Sequence, residues 1–243
     1  MAGQHFVLVH GSWHDGGAWD AVSDALRAAG HAANAPTLPG HGPAADRDVG
    51  FADYVAAVVA AVRRCGAARV VLVGHSLGGA VVAAAAEQVA DALERLVFVA
   101  PIVPADGERL IDVIPPESAK IFAAMAAASP DNSLEMPWPV WRERFVGEAD
   151  LTLAEETFAR LCPEPFRPVS EPVAMPGFAA LEVPRSYVDC RTDVAFPPGE
   201  WHFFPRFFDR LGLCRLIAVE AGHEAMFTAP AALARALIDA ARA

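Results

Sequence analysis

Residues 70–79 read VVLVGHSLGG, and this stretch decides the fold. Val70–Val73 is a continuous apolar run, which is typical of a strand covered on both faces in a parallel sheet. The alanine-rich segment 77–93 that follows predicts a long helix. Between them, GHSLG (74–78) matches G-x-S-x-G, the pattern of a sharp strand-to-helix turn that exposes a serine hydroxyl. Ser76 is therefore a candidate nucleophile at the carboxyl end of a sheet.

The alternation of strand and helix continues toward both ends of the chain. Apolar runs predict further strands at 6–9, 31–35, 96–100, 185–189 and 216–220. Apolar spacing predicts helices that end near Gly30 and Gly66, and a last helix with Thr228 as N-cap and Pro230 in its first turn. Alternation of this kind predicts an α/β protein with a mostly parallel central sheet flanked by helices.

The region 104–183, which we call the cap, breaks this alternation. It is rich in proline, has helical stretches at 118–128 and 153–161, and contains no convincing strand. We interpret it as a mainly helical insertion after the strand at 96–100. The prediction is one domain over 1–243, with a core formed by 1–103 and 184–243.

Composition excludes several classes of function. The chain has 243 residues, of which 54% are apolar, and a net charge of −11, which disfavours nucleic acid as a partner. Its four cysteines lack metal-ligand or CxxC spacing, and no dinucleotide pattern occurs, so we expect no metal, no cofactor and reduced thiols. The start of the chain lacks a signal pattern, and no apolar run reaches the ~18 residues of a membrane span. We expect a soluble, cytoplasmic protein without a membrane partner.

A serine nucleophile needs a base, and the base needs a carboxylate that orients it. His223 follows the last predicted strand and should lie at the same sheet end as Ser76. Asp193, just beyond the penultimate strand, is the favoured carboxylate, and Asp189 at the strand end is its rival. The chain order Ser, Asp, His is the order that this strand–turn–helix motif predicts.

The remaining candidates concern substrate. The backbone N–H groups of Ser12 and Leu77 are the predicted oxyanion donors, with Gly11 allowing close approach of the backbone. The Ser12 hydroxyl is either a third contact or a plain turn serine. Trp13, Trp138 and Trp141 are candidate substrate contacts, although most cap aromatics should simply pack. The segment 202–208 is interpreted as a buried helical face and not as a cofactor site.

Four segments of the chain resemble one known family. They are FVLVHGSWHDGGAW (6–19), VGHSLGG (73–79), CRTD (190–193) with Pro197-Pro198, and AGHEAMF (221–227) with Pro230. Together they resemble the α/β-hydrolase family, in particular plant methylesterases, hydroxynitrile lyases and their bacterial esterase relatives. The resemblance implies the α/β-hydrolase fold and strengthens Asp193 over Asp189. It leaves open a homodimer formed through the cap.

The departures from this family separate its branches. The lyases carry a lysine after the catalytic histidine and a threonine in the oxyanion strand, where this chain has Glu224 and Gly11. A carboxylate would repel a leaving cyanide, so the sequence favours a serine esterase that acts on a small apolar ester, thioester or lactone through an acyl-Ser76. The alternatives are a lyase with His223 as base and a ligand-binding protein on the same scaffold. Glu224 is either an exposed rim residue or a substrate contact.

Overall fold

The computed structural model describes residues 3–42 and 44–242. Its main sheet has six strands in the order β2-β1-β3-β4-β7-β8, and every pairing between them is parallel. Each strand predicted in the core is present, with its ends shifted by at most three residues. The strands are β1 His5–Val9, β2 Ala32–Asn34, β3 Val70–His75, β4 Leu93–Val99, β5 Ser133–Leu134, β6 Glu164–Pro165, β7 Arg185–Cys190 and β8 Cys214–Val219.

Helices cover both faces of the sheet. The helices are α1 Asp20–Ala28, α2 Phe51–Arg64, α3 Gly78–Val89, α4 Pro116–Ala128, α5 Trp138–Val140 (continued as a π-helical turn at Trp141–Phe145), α6 Leu151–Phe158, α7 Phe166–Ser170, α8 Arg206–Asp209, α9 Ala225–Thr228 and α10 Pro230–Ala241. Short 3₁₀ turns lie at Gly16–Trp19, Ala90–Ala92, Leu110–Val113 and Phe178–Ala180.

The alternating faces of each strand separate two hydrophobic layers. Val7 and Val9 of β1 face a layer that includes α2 and α3. Phe6 and Leu8 of the same strand face a second layer formed with α1 and α10. This is why the strands read as continuous apolar runs: both of their faces are buried. The prediction of an α/β protein with helices on both sheet faces is confirmed.

The cap lies between β4 and β7. It contains α4 to α7 and, contrary to the prediction, a small antiparallel sheet in which Ser133 pairs with Pro165 and Leu134 with Glu164. Strands of two residues are too short to leave an alternating pattern, so no sequence signal predicts them. The predicted division of the chain at 103/104 and 183/184 stays a prediction.

Two local predictions near the C-terminus need correction. The N-cap of α10 is Ala229, because the Thr228 hydroxyl instead donates to Glu148 Oε1 at 2.9 Å. In the segment 202–208, Phe203 and Phe207 are buried, but the helix begins only at Arg206. Across residues 3–42 and 44–242, no helix has the length and apolar character needed to cross a membrane.

Candidate active site

Ser76 occupies the turn between β3 and α3 in a strained conformation. Its φ is +51°, in the left-handed region that residues with a Cβ seldom adopt. The turn is fixed on both sides: the Ser76 N–H donates to Val99 O at 3.1 Å, and its carbonyl accepts from Ile102 N–H at 2.8 Å and Gly79 N–H at 2.9 Å. The backbone of the sheet and of α3 therefore holds the Ser76 side chain in place.

Three glycines allow the turn and the loop after β1 to meet. A Cβ on Gly74 would lie 2.4 Å from the Gly78 carbonyl oxygen, and one on Gly78 would lie 2.6 Å from His10 O. A Cβ on Gly11 would lie 2.9 Å from Ser76 Cβ. Real Cβ contacts are not this short, so these positions require glycine for close approach of the backbones.

The structure brings His223 and Asp193 into direct contact. His223 Nδ1 lies 2.7 Å from Asp193 Oδ2, and both side chains are buried. The other carboxylate oxygen of Asp193 accepts the Ala195 N–H at 2.8 Å. Asp189, the rival carboxylate, lies instead 3.6 Å from Arg191 Nη1. The geometry thus pairs His223 with Asp193, through a loop that follows β7.

The surroundings of His223 favour its protonated form. Burial lowers the pKa of His223, whereas the negative charges of Asp193, Glu224 and Glu148 raise it, with Asp193 the strongest of the three. The net effect is a pKa above the ordinary value of 6.5. An imidazole with a raised pKa is a stronger base once it is neutral. A reaction that uses neutral His223 should therefore lose rate as the pH falls through this raised pKa.

The two predicted oxyanion donors face the same space as Ser76. Ser12, Leu77, Ser76 and His223 all line one cavity. Within the described residues, neither the Ser12 N–H nor the Leu77 N–H has a protein acceptor. Leu77 also stands at the N-terminus of α3, where backbone N–H groups and the helix dipole favour negative charge.

This cavity is strongly apolar. It lies between the core and the cap, and both contribute to its lining. Its polar side chains among the described residues are Ser12, Ser76 and His223. Its other lining residues are Trp13, Leu77, Ile102, Leu110, Ile114, Phe122, Leu134, Phe145, Val169, Ala195, Phe196 and Phe203. Such a lining favours a neutral ligand whose one polar group reaches Ser76.

Of the three tryptophans considered as substrate contacts, the cavity wall includes Trp13 alone. Trp141 is fully buried inside the cap, stacked on Phe145, with its Nε1–H donated to Ala154 O. Trp138 packs edge-on against Phe158. The structure therefore argues against substrate contact by Trp138 and Trp141, because both pack the cap itself.

The position of Glu224 matches neither interpretation from the sequence, an exposed rim residue or a substrate contact. It is buried and pairs with His14, whose Nε2 lies 3.0 Å from Glu224 Oε2. Although burial alone would raise the pKa of Glu224, the neighbouring His14 holds it at about 2. The two residues are 210 positions apart in the chain, so no local pattern could have predicted the pair.

Two further carboxylates near the site were missed in the sequence. Glu148, in the cap, accepts the Gly222 N–H at 2.8 Å, directly before His223. Glu164, on β6, is buried and contacts the loop after β1 through the Trp13 N–H. Both act across long sequence separations, and the cap contains many other acidic residues, so no pattern in the sequence distinguishes these two.

His75, His223 and Glu224 form a group whose candidate ligand atoms lie within 4.8 Å of one another. Each of the three side chains already has a protein partner. His75 Nε2 lies 3.0 Å from the carbonyl oxygen of His223, His223 Nδ1 bonds Asp193, and Glu224 bonds His14. The arrangement does not resemble the open set of converging ligands typical of a metal centre.

Comparison with known proteins defines the class. The model of the Alpha/beta hydrolase family matches residues 6–236, and the chain belongs to this family. Among its relatives, the carbendazim hydrolyzing esterase of Nocardioides sp. is 28% identical over 96% of this chain and 98% of its own length. Methylesterase 18 of Arabidopsis thaliana is 30% identical over 82% of each chain.

A solved structure agrees closely over the whole chain. The extracellular alpha/beta-hydrolase from a Paenibacillus species superposes with a TM-score of 0.95, at 33% identity, covering 99% of this chain and 100% of its own. The predicted fold and the predicted relationship to plant methylesterases and bacterial esterases are confirmed. The prediction of an esterase-type hydrolase is confirmed by relatives that are named as an esterase and as a hydrolase.

Proposed function

We propose that the protein cleaves small apolar carboxylic esters, with Ser76 as nucleophile, His223 as base and Asp193 as the orienting acid. The observation that carries the proposal is the buried contact of 2.7 Å between His223 Nδ1 and Asp193 Oδ2, beside a strained Ser76 in the same cavity. A serine hydroxyl becomes an effective nucleophile when such a base takes its proton.

In this mechanism the proton moves through His223. Its Nε2 accepts the Ser76 proton as Oγ attacks the ester carbonyl, and Asp193 stabilises the imidazolium that forms. The imidazolium then protonates the alcohol as the acyl C–O bond breaks, which leaves an acyl-Ser76. Water, deprotonated by His223, attacks the acyl group, and the acid leaves as Ser76 recovers its proton.

The Ser12 and Leu77 N–H groups form the proposed oxyanion hole. Negative charge on the carbonyl oxygen develops only as the tetrahedral intermediate forms, so donors fixed at that position lower the barrier selectively. Each such donor typically contributes ~3 kcal/mol to the stability of the transition state. The support here is that both N–H groups border the cavity without a protein acceptor.

The lining of the cavity supports the substrate class. With Ser12, Ser76 and His223 as the polar side chains of its described wall, a charged substrate would lose hydration without gaining a partner. A neutral ester, thioester or lactone with apolar acyl and alcohol groups fits, and Trp13 is its proposed aromatic contact. The relatives named carbendazim hydrolyzing esterase and Pyrethroid hydrolase are consistent with a substrate of this character.

A cytoplasmic location belongs to the proposal as well. Its support is that Cys65, Cys162, Cys190 and Cys214 are all free. Free thiols persist in reducing compartments.

The test measures steady-state hydrolysis of p-nitrophenyl butyrate beside cyanide release from mandelonitrile. We expect wild-type protein to hydrolyse the ester, Ser76→Ala to lose this activity while keeping its melting temperature, and neither protein to release cyanide above background. Cyanide release without ester hydrolysis would replace the proposal with a lyase. Binding of the ester without any turnover would replace it with a ligand-binding role.

A further inference from the structure

Trp13, the residue directly after the proposed oxyanion donor Ser12, has an unusual backbone. Its φ is +66°, in the left-handed region, which is strained for a bulky side chain. Backbone strain of this kind persists only where the surroundings impose it. The contacts that hold Trp13 in this conformation therefore matter for the direction of the Ser12 N–H.

Within the described residues, the hydrogen bonds of Trp13 are all made with the cap. Its N–H donates to Glu164 Oε2 at 3.2 Å, and its carbonyl accepts the Cys162 N–H at 2.8 Å. Its indole Nε1–H donates to the Leu134 carbonyl at 2.9 Å. Leu134 and Glu164 are paired with each other in the two-stranded sheet β5–β6. One small sheet in the cap thus fixes both the main chain and the ring of Trp13.

Glu164 is the charged centre of this arrangement. It is 1% exposed and accepts three hydrogen bonds: from the Trp13 N–H, from His41 Nε2 at 2.9 Å and from the Tyr54 hydroxyl at 2.9 Å. Burial lowers the pKa of His41, but the Glu164 carboxylate outweighs burial and raises it above its ordinary value. The raised pKa of His41 favours an imidazolium beside this carboxylate, and His41 and Tyr54 of the core both donate to it.

We propose that Glu164 is a positioning residue for the oxyanion hole, acting through Trp13 on the Ser12 N–H. The inference rests on the proposed function, because it assigns a role to the hole that function requires. Glu164 fixes the peptide plane between Ser12 and Trp13. Without that acceptor, Trp13 can relax to a negative φ, and the loop that carries the Ser12 N–H turns with it. The cap then supplies part of the catalytic geometry in addition to the walls of the cavity.

Three variants separate positioning from general stability. Glu164→Leu removes the acceptor of the Trp13 N–H. Glu164→Gln keeps an amide oxygen for Trp13 and His41 and can donate its NH₂ to the Tyr54 hydroxyl oxygen. Tyr54→Phe is the matched control, since it removes one hydrogen bond to the same carboxylate but leaves the Trp13 contact in place.

For p-nitrophenyl butyrate we expect kcat to fall about 10- to 100-fold in Glu164→Leu, with KM within about threefold of wild type, because a misplaced donor weakens only the transition state. Glu164→Gln and Tyr54→Phe should keep kcat within about threefold. A wild-type kcat in Glu164→Leu, or an equal loss in Tyr54→Phe, would overturn the proposal.

Inhibition by phenylboronic acid gives a second readout. Its boron accepts Ser76 Oγ to form a tetrahedral adduct with one oxygen in the hole, so Ki reports the hole directly. We expect Ki to rise in Glu164→Leu by about the factor by which kcat falls. A variant that merely folds less completely would lower the rate and keep Ki unchanged, which would contradict a positioning role.

If Glu164→Leu does not fold, Glu164→Asp replaces it. Its carboxylate is one methylene shorter and is drawn away from the Trp13 N–H, and we expect kcat to fall and the boronate Ki to rise about 3- to 10-fold. An unchanged Ki there would overturn the proposal. Wild-type protein that neither hydrolyses the ester nor binds the boronate would count against the proposed function itself. An active wild type with an unaffected Glu164→Leu would count against this inference alone.

Discussion

The core and the cap contribute to the same cavity in different ways. In the core, Ser76, Asp193 and His223 each follow a parallel strand, and the Ser76 turn is held by main-chain hydrogen bonds to Val99, Ile102 and Gly79. In the cap, single side chains reach across to distant loops, as Glu164 does to Trp13 and Glu148 to Gly222. Core geometry is therefore built into the sheet, whereas cap geometry depends on individual contacts.

This difference predicts a ranking of effects. A change to a core residue that takes part in the reaction removes a step of the chemistry. A change to a cap contact shifts the position or the charge of a group that remains present. We expect kcat to fall by several orders of magnitude in the first case and by smaller factors in the second. The variants below test the ranking from the largest expected effect to the smallest.

Among the variants that keep the nucleophile, Asp193→Asn should have the largest effect. An asparagine cannot stabilise the imidazolium and favours the wrong tautomer of His223, so we expect kcat to fall about 10⁴-fold. Asp189→Asn is the matched control, because Asp189 lies beside Arg191 and not beside His223. Its kcat for p-nitrophenyl butyrate should stay within a few-fold of wild type. If Asp189→Asn were the sensitive variant, the assignment of the acid would be wrong.

Gly11→Ala should have the next largest effect. The new methyl group would lie 2.9 Å from Ser76 Cβ and 3.0 Å from His75 Nδ1, so it must displace the nucleophile or the loop. A misplacement near 1 Å costs about 100-fold in rate.

Gly66→Ala is the control for Gly11→Ala. It meets nothing within 4 Å and is strained only by its φ of +65°. This control should lose some stability and no activity. Equal kcat values for the two alanine variants would contradict the packing argument.

Glu164→Leu, with its expected 10- to 100-fold loss, belongs below the core variants. It is the strongest of the cap changes because it alone acts on a proposed donor. If kcat fell as far in Glu164→Leu as in Asp193→Asn, the cap would have to take part in the chemistry itself and not only position the Ser12 N–H.

The smallest expected effect is a shift in the pH dependence of kcat/KM. The pKa of His223 is raised above 6.5, so kcat/KM should fall as the pH decreases through a value above 6.5. Glu224 and Glu148 both favour the imidazolium, with Glu224 the larger of the two. Glu224→Gln should therefore move this acid limb to lower pH, and Glu148→Gln should move it less.

Profiles of kcat/KM from pH 5 to 9 measure the shifts of the acid limb in Glu224→Gln and Glu148→Gln. Glu135→Gln, which removes an exposed charge of the cap, should leave the profile unchanged. A limb that moved to higher pH in Glu224→Gln would contradict the role given to that carboxylate.

The same difference between core and cap decided what could be predicted from the sequence. Local signals predict Ser76, His223 and Asp193, because a strand followed by a turn places residues at one end of a parallel sheet. No local signal predicts the pairing of Glu224 with His14 or of Glu164 with Trp13, since the partners lie 210 and 151 positions apart. The sequence makes Trp141 a candidate substrate contact because an aromatic residue gives the same signal in a cap core as in a cavity wall.

The proposed reaction passes through an acyl-enzyme on Ser76. Pre-steady-state hydrolysis of p-nitrophenyl butyrate, with wild type and Ser76→Ala compared at matched concentration, tests it directly. We predict a burst of about one p-nitrophenol per wild-type chain, followed by a slower steady state, and for Ser76→Ala no burst and a kcat lower by about 10⁶-fold. A burst of the same size in folded Ser76→Ala, or turnover that does not depend on Ser76, would contradict the account.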